Sequence, residues 1–303
     1  MTALIPEAPD TAATAAHGIL YTVVSAVCYA LSPVLVKTQF QYGLNASTVL
    51  TYRSAVAVLI TLAILLIGRT SPRISRQDLG KFIYIGFFAA TAVLLLNEAY
   101  SYIAAGLTTA LHYTFPMFVN VISAVVFKIA FTKARLTSLI LSLIGVFILA
   151  FNTTQSAQFT GVLLAVLSGF VYAIYMILLE NHPFQVKKHM VISLYLNLAV
   201  VVYSLIYNLA AHKLTFTIEP MSYVYLVLLA VLNAVVALIL LRKGILLLGA
   251  SKAAIISTVE PVFSVLFGVT LLGEPLTVML AAGLVFIMAG LLVANIQYVR
   301  RRS

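Results

Sequence analysis

Ten long apolar runs, with little between them, govern what this chain can fold into. They cover residues 18–36, 46–67, 82–103, 105–127, 136–152, 160–179, 190–210, 221–241, 253–272 and 277–297. Each falls in the span of about 17–25 residues that a helix needs to cross a hydrocarbon core. The runs do not alternate polar with apolar residues, as strands of a lipid-facing barrel must. Helices satisfy their own backbone groups, which lipid demands. The expected fold class is an all-α membrane protein with ten transmembrane helices. Composition agrees, with 63% hydrophobic and 9% charged residues, against about 25% charged in a soluble domain. Only short loops remain, so no nucleotide-binding motor or kinase domain fits. The net charge of +10 reads as loop charge that sets topology rather than as a nucleic-acid surface.

Lysine and arginine sort the loops. With the N-terminus inside, the cytoplasmic connections hold Arg69, Arg73, Arg76 and Lys81; Lys128, Lys133 and Arg135; Lys187 and Lys188; Arg242, Lys243 and Lys252; and Arg300, Arg301 and Arg302. The outer connections hold only Lys37 and Lys213. Fifteen against two over short loops is the positive-inside pattern. Both termini are therefore expected in the cytoplasm. The first 17 residues carry Glu7 and Asp10 and no Lys or Arg. A cleavable signal peptide needs a basic start, so none is expected. These features suit a bacterial inner membrane. The single cysteine, Cys28, excludes an intrachain disulfide and a cysteine zinc site.

The chain repeats itself. Ser25-Ala26-Val27-Cys28-Tyr29-Ala30 matches Ser168-Gly169-Phe170-Val171-Tyr172-Ala173 at an offset of 143, and Tyr52 meets Tyr195 at the same offset. Gly106-Leu107-Thr108-Thr109-Ala110 resembles Gly249-Ala250-Ser251-Lys252-Ala253. Pro116 stands 29 residues before Gly145, and Pro261 stands 29 before Gly290. Spans one to five (18–152) and six to ten (160–297) thus read as two copies, between a tail of 1–17 and a basic tail of 298–303. Five is odd, so the second copy inserts upside down. Two inverted halves around a mid-membrane site are the logic of alternating access in secondary transporters.

The stretches Leu248-Gly249-Ala250-Ser251, Val259-Glu260-Pro261-Val262-Phe263, Leu272-Gly273-Glu274-Pro275-Leu276 and Ala289-Gly290 resemble the second-half signature of the EamA family of drug/metabolite transporters. Gly161 through Tyr175 resembles the start of that family's sixth span. The chain departs from the family at Tyr29-Ala30, where Trp-Gly is common, and at Thr132-Lys133-Ala134-Arg135-Leu136, where the second half has its Gly-Glu-Pro turn. The resemblance implies an ATP-independent transporter without a cofactor. Family substrates range over amino acids, other metabolites, sugars and drugs. Within that range, amino acids or related metabolites are preferred here and export is slightly favoured. A multidrug or other-metabolite exporter or importer of the same fold is the alternative. From other classes, an intramembrane lipid enzyme, a passive channel and a membrane sensor stay as rivals. No phosphate-binding Gly-rich loop and no Ser-His-Asp set appears in the sequence.

Three charged residues fall well inside spans: Arg53, Glu98 and Glu260. A central charge costs about 2.5–3.5 kcal/mol on insertion scales. Arg53 and Glu98 lie at similar depth near the outer end of spans two and three, so an ion pair between them is geometrically open. It would serve as a gate or an anchor for a zwitterionic substrate. The alternatives are a fixed internal pair and an Arg that snorkels to the headgroups. Glu260 reads either as a protonatable carboxylate for proton coupling or as a brace for the break at Pro261. Pro33, Pro116 and Pro261 free the carbonyls of Tyr29, His112 and Ser257. Those acceptors either line a polar cavity or are satisfied by a neighbouring hydroxyl. His112 reads as a proton shuttle or a packing residue. Asn97, Asn197 and Asn233 read as substrate amides or interhelical links. Tyr29 and Tyr172, at equivalent repeat positions, suit a clamp for an apolar, aromatic or cationic ligand. The other four histidines lie in loops or tails, so no metal is expected. The cavity is expected between spans one, three, four, six, eight and nine.

Overall fold

The computed structural model describes residues 11–128, 132–151, 156–182, 184–185, 189–248 and 250–300. The tail residues 1–10 and 301–303, Lys187, Lys188 and Gly249 of the signature lie outside them. The described residues form helices and connections, with no strand among them. In the first half α1 runs through Thr11–Ala30 and Ser32–Gln41, α2 through Ala46–Ile67 and α3 through Arg76–Ala99. Next come α4, in two pieces, Ala105–His112 and Phe115–Val126, and α5, Lys133–Phe151. In the second half α6 is Ser156–Asn181 and α7 is His189–Ala210. α8 joins Pro220–Val231 to Leu238–Leu248 through a π-helical stretch, Leu232–Ala237. α9 comprises Ala250–Ser257 and Glu260–Leu272, and α10 is Val278–Arg300.

Eight of these helices are long and apolar enough to cross a membrane, and α5 and α10 contribute shorter apolar stretches, Leu136–Ala150 and Val278–Val293. Large apolar side chains such as Leu59, Phe147, Leu246 and Val285 stand well exposed on the bundle's outside, which suits a lipid solvent. The protein is a multi-pass membrane protein of ten helices in two inverted repeats.

Local chemistry sets the helix ends. Asn45 starts α2 by accepting from Thr48 N at 2.9 Å, and Ser75 starts α3 by accepting from Asp78 N at 3.0 Å. That cap draws α3 to Arg76, ahead of the apolar run expected at 82, with Asp78 favourably placed in the first turn. Gly273, at φ 66°, ends α9 in the left-handed conformation that glycine adopts freely. α8 continues past the expected end at 241 because Arg242 and Lys243 are good helix formers and carry no break signal. The interruptions of α1, α4 and α9 fall just before Pro33, Pro116 and Pro261, each near the start of the following segment.

The packing shows the inversion. α2 lies on α7, α4 on α9, α5 on α10, α1 on α8 and α6 on α3. Exchanging each helix with its counterpart five later returns the same set. The α5–α10 contact is close enough that a Cβ added at Gly145 would stand 2.9 Å from the Gly283 carbonyl, so small residues are required there. The inversion reaches single bonds. Tyr52 on α2 donates to the carbonyl of Thr215 at 2.9 Å, and Tyr195 on α7 donates to that of Pro72 at 3.0 Å. Tyr52 and Tyr195 are 143 residues apart, and so are the acceptors Pro72 and Thr215. Each half thus holds the loop of the other. The loop at 68–75 lies at the end rich in Lys and Arg, here the basic end, and the loop at 211–219 lies at the far end.

Candidate functional site

A cavity of about 190 Å³ sits in the bundle, lined by Tyr29, Arg53, Ser54, Ala57, Ser193, Asn197, Ala230, Asn233, Ala234 and Leu238. Its walls are α1, α2, α7 and α8. Of the expected spans, one and eight line this cavity together with α2 and α7, while α1, α3, α4, α6 and α9 meet around Glu260, described below. The reason is tertiary, since α2 packs on α7 and α1 on α8 at the interface between halves. The π-turn of α8 gives the cavity its shape. A π-turn inserts one residue into a helix and re-aims its side chains. Here it carries Asn233 and Ala234 into the lining. Its Ala237 carbonyl accepts from Ser25 Oγ at 2.7 Å.

The cavity's polar groups are partly fixed. Ser32 donates to Asn233 Oδ1 at 2.7 Å. Asn197 Nδ2 donates to the Ser193 carbonyl at 2.9 Å. Arg53 Nε is buried without a hydrogen-bond partner. The Arg53–Glu98 pair that depth alone allowed does not form. Glu98 lies 3.6 Å from Lys213, a loop residue whose position only the folded chain reveals. Lys213 also bonds the Tyr207 hydroxyl at 3.2 Å. That bond raises Lys213 above the ordinary lysine value, with Glu98 adding to it.

Glu260 belongs to a second group. It opens the second piece of α9 and lies within interaction range of the Tyr113 side chain. Tyr29, Tyr100 and Tyr172 also stand within reach of its charge. Tyr172 packs against His112 at 5.1 Å between centroids, against Phe115 at 4.9 Å and against Tyr175 at 5.4 Å. Tyr29 and Tyr172 share no direct ring contact among the described residues, although Tyr172 stands within electrostatic reach of Tyr29. Tyr29 joins the groups, since it lines the cavity and also senses Glu260 and Tyr172.

His112 Nδ1 meets Ser168 Oγ at 2.9 Å, and Ser168 gives its only proton to the Ala165 carbonyl at 2.6 Å. His112 must then donate from Nδ1, which leaves Nε2 as the other site of proton exchange. The carbonyl freed by Pro116 is not open to the cavity. α6 covers it so closely that a Cβ at Gly169 would stand 2.7 Å from the His112 oxygen. Ser257, half-buried, ends the first piece of α9 in a stretch of tight turns, one turn before Glu260. Asn97 is a link, with its amide 3.5 Å from the Ala46 carbonyl.

The far end carries an arrangement that sequence reading missed. Glu274 pairs with Lys37 at 2.8 Å and accepts from the backbone N–H groups of Ala105 at 2.7 Å and Gly106 at 3.4 Å. Lys37 also donates to the Ile103 carbonyl at 3.1 Å. One carboxylate thus joins α1, the start of α4 and the turn after α9. It was legible only as a lone lysine and a Gly-Glu-Pro turn. A larger hollow of about 610 Å³ lies beside it, lined in part by Lys37, Tyr100, Leu107 and Glu274.

An inverted ten-helix membrane bundle with a polar hollow between its halves defines a transporter class. Residues 16–151 and 159–296 each match the EamA-like transporter family, and the chain belongs to that family. It is 26% identical over 295 residues to the Bacillus subtilis (strain 168) protein described as "Uncharacterized transporter YcbK", covering 91% of this chain and 93% of that one. A protein crystal structure at 15% identity has the same fold, with TM-score 0.62 over 95% of this chain and 99% of the other.

Proposed function

We propose that the chain is a secondary active transporter of small organic metabolites in the cytoplasmic membrane. Amino acids or related compounds are the preferred cargo, with export favoured and both termini cytoplasmic. The small polar cavity between inverted halves carries this reading, because rocking the halves would expose such a site to one side and then the other. Tyr29, Arg53 and Asn233 line it directly. Glu98, through Lys213, and Ser257, at the α9 break, would act by positioning. Protons are the proposed coupling ion. Glu260 has no cation within pairing distance among the described residues, and a proton would neutralise a charge that is costly in the bundle. Tyr172 stands within reach of the Glu260 charge, and His112 packs against Tyr172.

Purified protein in liposomes should move a labelled amino acid without ATP, with saturation and counterflow. Glu260→Gln and Tyr172→Ala should each change that flux. Normal transport of every tested solute by both variants would remove the site assignment, and single-channel currents would replace the carrier by a pore.

A further inference from the structure

We infer that Arg53 is the anchor for the carboxylate of a small zwitterion, with Asn197 and Asn233 fixing the rest of the ligand. The inference deepens the transporter reading and rests on it for the identity of the site. Arg53 faces the cavity with its Nε buried and unbonded, and no carboxylate lies within ion-pair distance among the described residues. Glu98 pairs with Lys213 and Glu260 sits among tyrosines. A guanidinium offers five donors in a fork that matches a carboxylate. An unpaired charge in an apolar bundle is costly, so an anion is the expected partner.

The neighbouring bonds decide what each amide presents. Asn233 uses Oδ1 on Ser32, so its Nδ2 hydrogens are left for an acceptor on the ligand. Asn197 uses Nδ2 on Ser193, so its Oδ1 is left for a donor. The cavity therefore offers a cation and an amide donor toward one part of a ligand and an amide acceptor toward another. A carboxylate beside an ammonium matches that set. A phosphate dianion does not, since Arg53 is the one cation in the lining among the described residues. Size agrees: at ~30 Å³ per water, 190 Å³ holds roughly six waters, below the ~300 Å³ at which drug-sized sites begin. Ala57, Ala230 and Ala234 leave space for a short aliphatic side chain.

The test measures binding apart from flux. Melting of the detergent-solubilised full chain is followed with alanine, serine, lactate, alaninamide, ethylamine and inorganic phosphate. Alanine or serine should raise Tm, lactate less so, and the carboxyl-free compounds and phosphate not at all. Arg53→Gln should weaken alanine binding about a hundredfold. Arg53→Lys should recover part of it, and Asn197→Leu should erase the preference for alanine over lactate. Each variant's melting without ligand shows whether it is folded, and counterflow of labelled alanine in liposomes is the second readout. The inference is overturned if no carboxylate raises Tm, if alaninamide acts as well as alanine, or if folded Arg53→Gln binds alanine normally. Carboxylate binding without flux would sink the transporter reading and leave the anchor standing. Arg53-independent flux of carboxyl-free solutes would do the reverse.

Discussion

At the basic end Phe82 stacks on Phe184 with centroids 4.1 Å apart, and Tyr195 holds the Pro72 carbonyl. At the far end Tyr225 meets Tyr42 at 5.7 Å, and Tyr52 holds the Thr215 carbonyl. Phe82 and Tyr225 stand 143 residues apart, as do Tyr52 and Tyr195. The frame is one plan used twice, but the finish differs. Phe82, 2% exposed, lies nearly parallel to its partner and also stacks on Tyr195. Tyr225 is only half-buried and tilted. Carboxylates serve both ends, with Glu274 on Lys37 and Glu98 on Lys213 at the far end and Asp78 accepting from Gln185 N at 2.9 Å at the basic end. Inversion constrains the backbone and leaves each end to be closed by its own side-chain chemistry. Ring stacking depends on contact area, whereas charged ties strengthen or weaken with the water around them.

The sharpest way to break this comparison is at the rings. Phe82→Ala should cost about 3–5 kcal/mol of stability, in the usual range for a buried phenylalanine. Tyr225→Ala should cost less than half as much. Chemical denaturation of the solubilised variants measures both, and equal losses would erase the distinction between the ends. Glu274→Ala comes next. It strands Lys37 and two backbone donors, with an expected cost of about 3 kcal/mol. A cycle with Lys37→Ala should show strong coupling, and additive losses would mean the pair is not a unit. The smallest effects belong to the shared feature. Tyr52→Phe and Tyr195→Phe should each cost about 0.5–1.5 kcal/mol and add when combined. A large difference between them would show that one loop carries more strain than the other.

Much of the frame is legible in the residues. Apolar runs define the spans, and Pro33, Pro116 and Pro261 mark the interruptions, because proline acts on its own helix. The side-chain partners are less so. Nothing near Glu98 announces Lys213, which lies in a loop of the other half, so depth along the helix suggests Arg53 instead. The π-turn at Leu232–Ala237 has no proline or glycine to mark it. Without it the reach of Asn233 cannot be read from the chain. Tyr29 and Tyr172 were placed correctly as repeat mates, but their rings answer to different neighbours. On α2 and α7 the signal rests on Arg53 and Asn197 alone, because their neighbours Ser54, Ala57 and Ser193 are small residues in apolar runs and carry none of their own.

The exchange of tyrosine fasteners has a further consequence. Residue 52 secures residue 215 and residue 195 secures residue 72, so neither pentad can complete its own surface. Severed between α5 and α6, each fragment would carry a hook with nothing to catch and a strand of chain with nothing to catch it. The two pieces are complements rather than modules, and wholeness belongs only to the joined molecule.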